Sequence, residues 1–284
     1  MRKVEAVSDH VSQWGEGPVW WDDHLWWVDI EGKALCRIHP ETQNLKIWKM
    51  DQRIGFALPT IKGTWIWGGD HGLYELELST GESTPLVNPE PNLPHNRFND
   101  AGVSPDGRLF AGTIALDKTE GAASLYRLDP DFGCTPVIPN VTNSNGIGWS
   151  PDGGILFYID TPTREITRYT YEEGEISGRQ VLVNTDPIID ASPDGCCVDA
   201  DGHLWVAFCH GGCVIRFDHE TGKELERIKL SEKETTSCCF GGPDLRDLYI
   251  TTGVGSGDKQ SDGRLYVVKG MAVTGLPQKC VAQT

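Results

Sequence analysis

LWWVD at 25–29, WIWGG at 65–69, LFAGT at 109–113, LFYID at 156–160, LWVAF at 204–208 and LYITT at 248–252 are six versions of one segment. Their starting points lie 40, 44, 47, 48 and 44 residues apart. Each is followed by a second run that alternates apolar and polar residues: LCRI at 35–38, LYEL at 73–76, LYRL at 125–128, ITRY at 166–169, VIRF at 214–217 and LYVV at 265–268. Tight-turn sequences punctuate the runs, with SPDG at 104–107 and 150–153, DADG at 199–202, and TG at 80–81 and 221–222. Short β-branched and aromatic runs bounded by such turns read as strands. A period of about 40–50 residues with several strands per period is the signature of propeller blades. Six copies predict an all-β, six-bladed β-propeller of four-stranded blades, occupying residues 1–284 as a single domain. No amphipathic helix of three turns is legible, which removes α/β folds and helical solenoids. Residues 3–11 are long enough for a strand that completes the last blade and closes the ring.

Composition fits this reading and narrows the function. The 33 Gly and 17 Pro are spread along the chain, as many short turns require. A net charge of −16 argues against nucleic acid, whose phosphates call for basic patches. No run of about 18 apolar residues is present, so no membrane-spanning helix is expected. The N-terminus lacks the apolar stretch of a signal peptide, and a cytoplasmic protein is expected. The nine cysteines include two adjacent pairs but no CxxC, and Cys209 and Cys213 have no second half for a zinc site. Reduced, mostly buried thiols are the reading.

Aligning the first strand of each repeat on its turn gives EGPVW from Glu16, NDAGV from Asn99, NGIGW from Asn145, DGCCV from Asp194 and TSCCF from Thr236, with a less regular GFALP from Gly55. In a propeller the first strands line the central channel, so these residues form a ring at one mouth. Four oxygen-bearing side chains at one ring position exceed what turn chemistry explains, and Thr236 adds a hydroxyl. Two carboxylates in a narrow channel repel unless a cation or proton lies between them. A hard divalent ion held by Glu16, Asn145 and Asp194, with waters completing the shell, meets that need. No histidine falls on the ring, and His95 is the one histidine expected near the mouth. The GxSxG, HExxH, P-loop and GxGxxG templates are absent.

The chain resembles the regucalcin/gluconolactonase (senescence marker protein) family. The resemblance rests on GEGPVW at 15–20, NRFND at 96–100, FAGT at 110–113, SNGI at 144–147, PDG at 193–195 and TTSCCFGG at 235–242, in order along the whole chain. It implies metal ligands at Glu16, Asn145 and Asp194, the three already found on the ring. It also implies substrate contacts from Arg97, Asn99 and Asp117, the last within an insertion at 114–123 that also reads as a plain exposed loop. The implied activity is hydrolysis of a sugar aldonolactone with one divalent ion, calcium first, and zinc, manganese, magnesium or iron(II) also admitted. The insertion at 253–263 is expected to border the mouth.

Lactone hydrolysis needs a polarised carbonyl, an activated water and a stabilised oxyanion, which a Lewis-acidic ion and a base provide. Asp194 is the expected general base, and Arg97 and Asn99 the donors to substrate hydroxyls. The structural alternative for Arg97 is an ion pair with Asp100 or Asp117. Two other functions fit the same residues: a non-catalytic calcium-binding regulator, and a promiscuous metal-dependent esterase or phosphotriesterase. The expected partner is a small sugar lactone, with no nucleic acid and no membrane, on a monomer or small homo-oligomer.

Overall fold

Each of the six repeated segments folds as the second strand of a four-stranded antiparallel sheet, and each following run contributes the third. The computed structural model describes residues 2–257 and 260–283, and among these the six sheets form a six-bladed β-propeller. The innermost strands are Gly15–Trp21, Ile54–Pro59, Asn96–Val103, Ser144–Trp149, Ser192–Val198 and Thr235–Gly241. Five blades run from inner to outer strand in chain order. In the sixth, Glu5–Ala6 from the N-terminus is the outer strand, pairing Glu5 with Val267 and Ala6 with Tyr266. The ring is therefore closed by the stretch expected to close it, although only two residues of it form the strand.

The repeated segments fold alike because both faces of the second strand are covered by neighbouring blades. Leu25, Trp27, Val28, Ile66, Phe110, Leu156, Phe157, Leu204, Trp205, Leu248 and Ile250 are fully buried. A strand buried on both faces gains by carrying apolar residues continuously rather than alternately, at about 1.5–3 kcal/mol per large side chain. Blades also interlock through aromatic rings, as where Trp26 of the first blade stacks on Trp65 of the second with 4.2 Å between ring centroids. The turns close as their sequences predict, with the amides of Gly107, Gly153 and Gly202 donating to the carbonyls of Ser104, Ser150 and Asp199. The 3₁₀ turn Thr161–Thr163 joins the second and third strands of blade four. Among the described residues no helix is long and apolar enough to cross a membrane.

The inner strands run side by side in the same sense, so their N-terminal residues gather at one end of the channel and their C-terminal residues at the other. The C-terminal end is covered by the chain after blade six, which bonds to Ala200, Leu245, Pro59 and Gly107 in succession. Leu276, Pro277, Gln278 and Lys279 border the small cavity of about 320 Å³ left there. The N-terminal end opens into a larger cavity of about 950 Å³, lined by Glu16, Arg97, Asn99, Asn145 and Asp194.

Candidate functional site

Every innermost strand breaks its pairing register at the ring position: between Glu16 and Val19, Ile54 and Phe56, Phe98 and Ala101, Asn145 and Ile147, Pro193 and Cys196, and Thr235 and Ser237. A bulge twists the strand and re-aims the side chain beside it. Here six bulges at one level explain why residues far apart in sequence converge on the channel. The bulge also fixes the carboxylates locally. Glu16 Oε2 accepts the amide of Gly17 at 2.7 Å, Asp100 Oδ1 accepts that of Ala101 at 2.7 Å, and Asp194 accepts that of Gly195.

Glu16, Asn145 and Asp194 are buried together at the floor of the cavity, only 7%, 4% and 7% exposed. Burial and then the nearby Asp100 push the Glu16 carboxyl up to about 8. Burial and the charges of Glu16, Asp100 and Glu234 hold the Asp194 carboxyl well above the ordinary range. Burial raises Asp100 to about 7. These groups crowd negative charge into a space with little water, which is costly unless protons or a cation neutralise it. The donor set of carboxylate and amide oxygens is the kind that hard divalent ions take. Residues and chemistry therefore fit a divalent cation.

Asn145 is held by a chain of hydrogen bonds that leaves its oxygen facing the channel. Its Nδ2 donates to Thr161 Oγ1 at 2.7 Å, and the Thr161 hydroxyl donates to the Pro193 carbonyl at 2.8 Å. Its Oδ1 accepts from Asn99 Nδ2 at 2.8 Å, keeping one lone pair for a further partner. Asn99 in turn accepts from Arg97 Nη1 at 2.7 Å. The two polar residues of the third blade and the amide of the fourth thus form one network.

Arg97 forms none of the ion pairs weighed for it. Nη1 donates to the Phe98 carbonyl at 2.8 Å and to Asn99, while the buried Nε has no partner. Burial lowers its pKa to about 10. Arg97 borders the cavity, and a buried cationic fork there is equipped to receive an oxygen-rich ligand.

Other expected residues lie elsewhere. Asp117 is exposed, accepts the Thr119 amide at 3.0 Å and is not among the cavity-lining residues, whereas Lys118 and Glu120 of the same insertion are. The reading of that insertion as a plain loop describes Asp117 itself. His95 is exposed and does not line the cavity, while His210 does. Thr236 turns its hydroxyl to the Gly15 carbonyl at 2.6 Å, tying blade six to blade one instead of facing the ligand space. In the insertion at 253–263, Val254–Gly255 pairs with Ser261–Asp262, none of the described residues borders the cavity, and residues 258–259 lie outside the described residues.

Sequence reasoning missed Asp100 as a member of the buried carboxylate group. It occupies the position next to the ring residue, where the first, fourth and fifth blades carry Gly17, Gly146 and Gly195. That departure was the available signal. Trp14, Asn143, Thr161 and Cys209 also line the cavity without any repeat pattern to announce them.

Residues 14–254 match the family described as SMP-30/Gluconolactonase/LRE-like region. Regucalcin of Xenopus laevis is 34% identical, with 96% of both chains covered. Among solved structures, a luciferin-regenerating enzyme superposes with a TM-score of 0.92 at 28% identity, covering 99% of each chain. The calcium-binding protein regucalcin from Agrobacterium tumefaciens does so with a TM-score of 0.92 at 25% identity, covering 99% of this chain and 97% of that one. On sequence along nearly its full length and on fold, the chain belongs to the SMP-30/gluconolactonase/regucalcin family.

Proposed function

We propose that the chain binds one divalent cation, calcium first, through Glu16, Asn145 and Asp194, and hydrolyses a small sugar lactone to its aldonic acid. The observation that carries this reading is the pair of buried carboxylates that line, together with the Asn145 amide, a cavity of about 950 Å³. Like charges so placed are tolerated when a cation joins them. A bound ion would supply Lewis acidity toward a substrate carbonyl and would ease deprotonation of water. The wall supplies the rest. Arg97 offers its guanidinium to ring hydroxyls or to the carbonyl oxygen, and Asn99, engaged by Arg97 and Asn145, holds that guanidinium in place. An Asp194 carboxylate oxygen would take the proton from the attacking water.

The calcium-binding regucalcin among the structural relatives and the gluconolactonase in the family's name both accord with this reading. The test is acid release from gluconolactone in a pH-stat, before and after chelation and with calcium, zinc, manganese or magnesium restored. Turnover that disappears with chelator and returns with one of these ions supports the proposal. Cation binding without turnover of any aldonolactone would leave a binding protein. Faster turnover of simple esters or phosphotriesters would move the substrate class.

A further inference from the structure

A second set of ligating groups lies on the rim of the same cavity, contributed by the fifth and sixth blades. Cys209 ends the strand Leu204–Cys209, His210 follows it in the turn, and both border the cavity. Glu234 precedes the inner strand of blade six and is joined to Cys209 by an isolated antiparallel bridge. The ligand atoms of the three residues all lie within 4.8 Å of one another. Cys209 Sγ is 3.2 Å from Glu234 Oε2, His210 Nδ1 is 2.6 Å from the same oxygen, and Sγ and Nδ1 are 3.7 Å apart.

These separations can be compared with what a tetrahedral ion demands. With zinc–sulfur bonds of about 2.3 Å and zinc–nitrogen or zinc–oxygen bonds of about 2.0–2.1 Å, ligand atoms stand about 3.4–3.6 Å apart. Both edges that involve sulfur are already within a few tenths of an ångström of that. The nitrogen–oxygen edge is short because a hydrogen bond occupies it, and turning the Glu234 carboxylate away would open it by about 0.8 Å.

Two further features set this cluster apart from an ordinary hydrogen-bonded triad. His210 has a φ of +70°, a conformation that L side chains seldom adopt, in a turn whose next residues are Gly211 and Gly212. Held there by the hairpin turn, its ring meets Glu234 and borders the cavity. The ligand groups are also shielded from bulk solvent, since Cys209 and Glu234 are buried while Cys209 and His210 border the cavity.

We propose that Cys209 Sγ, His210 Nδ1 and Glu234 Oε2 form a second metal site, for a thiophilic divalent ion such as zinc, with its fourth position open to the cavity. Mixed sulfur, nitrogen and oxygen donors select such an ion over calcium or magnesium, as the all-oxygen set of Glu16, Asn145 and Asp194 does not. Binding would release the thiol proton to solvent and leave the neutral imidazole with its hydrogen on Nε2. Three protein ligands with an open position describe catalytic rather than closed structural zinc sites. The second ion would then face the same ligand space as the first. The inference stands whether or not the cavity turns over lactones.

The test uses the full chain stripped of metal, saturated with calcium and titrated with cobalt(II). Thiolate ligation gives a sulfur-to-cobalt charge-transfer band in the near ultraviolet. The expected result is one tightly bound cobalt per chain with that band, on top of the calcium. Cys209→Ser should abolish the band. His210→Asn, which keeps a residue tolerant of the left-handed backbone, should weaken cobalt binding by about tenfold or more. The second variant decides the matter should the first fail to fold. Absence of the band at stoichiometric cobalt, or its persistence in either variant at wild-type affinity, would overturn the proposal. Calcium content, measured in the same samples, reports the first site separately.

Discussion

Glu16, Asn145 and Asp194 share a ring position but are not chemically equivalent. Asn145 cannot take a proton, and its amide is committed to Thr161 and Asn99. Glu16 bonds the Gly17 amide at 2.7 Å and stands on the first blade, away from the Thr161–Pro193 link that runs up to Asp194. Asp194 lies next to that link, and burial, then Glu16, Asp100 and Glu234, raises its carboxyl well above the ordinary range in the cation-free protein, as burial and Asp100 raise that of Glu16. A carboxylate on the cavity floor beside the other two ligands is suited to accept a proton from water. Asp194→Asn preserves size and one oxygen but cannot perform that step. At saturating cation, lactone turnover should fall by roughly 10²–10⁴, the usual contribution of a general base. The comparison must be made with metal content measured in both proteins, because an empty site would also be inactive. Near-normal turnover in the filled variant would reduce Asp194 to a ligand.

At the scale of the element, the bulged inner strand is the device that builds the site, and its geometry can be tested apart from its side chains. Gly17 has a φ of +49°, and a methyl group added there would meet nothing closer than 3.8 Å. The cost of Gly17→Ala is therefore backbone strain, about 1–2 kcal/mol for a left-handed L-residue. Gly63, in an exposed turn with a φ of +86° and nothing within 4 Å, is a matched control. Both variants should lose a few degrees of Tm. Only Gly17→Ala should also weaken cation binding, because the Gly17 amide orients the Glu16 carboxylate; equal affinities by calorimetry would separate the bulge from the site. The repeated strands were legible because burial on both faces forces the same apolar runs and the same turns six times over. The ring residues were legible for a related reason, since equivalent places in a repeat are equivalent places in space. Asp100 escaped because it stands where other blades carry glycine, and a single substitution inside a repeat looks like variation. Asp117 and His210 lie in the turns between second and third strands, whose length and sequence differ from blade to blade, so their position depends on loop conformation that no periodicity encodes.

Across the whole molecule, the blades meet only along their flanks and at the channel, and the ring is closed by the two-residue strand Glu5–Ala6. A cation shared by Glu16, Asn145 and Asp194 would tie blade one to blades four and five across the channel. Its removal should lower Tm, and the size of that drop should depend on pH in a definite direction. Glu16 and Asp100 have carboxyls raised to about 8 and about 7 in the cation-free protein, above their ordinary values of 4.5 and 3.8. A group whose folded pKa is raised favours the fold fully below its ordinary value and loses that contribution as pH rises through the folded value. In chelated protein at pH 6 both groups are largely protonated, so protons take over part of the cation's role. At pH 9 both are ionised and repel one another unneutralised. In the cation-loaded protein the ligands stay ionised at either pH. The net charge of −16 burdens both forms alike and cancels from the difference. The gap in Tm between loaded and chelated protein, measured by scanning calorimetry, should therefore widen from pH 6 to pH 9. A gap that is constant, or wider at pH 6, would mean that these carboxylates are not the groups the cation neutralises.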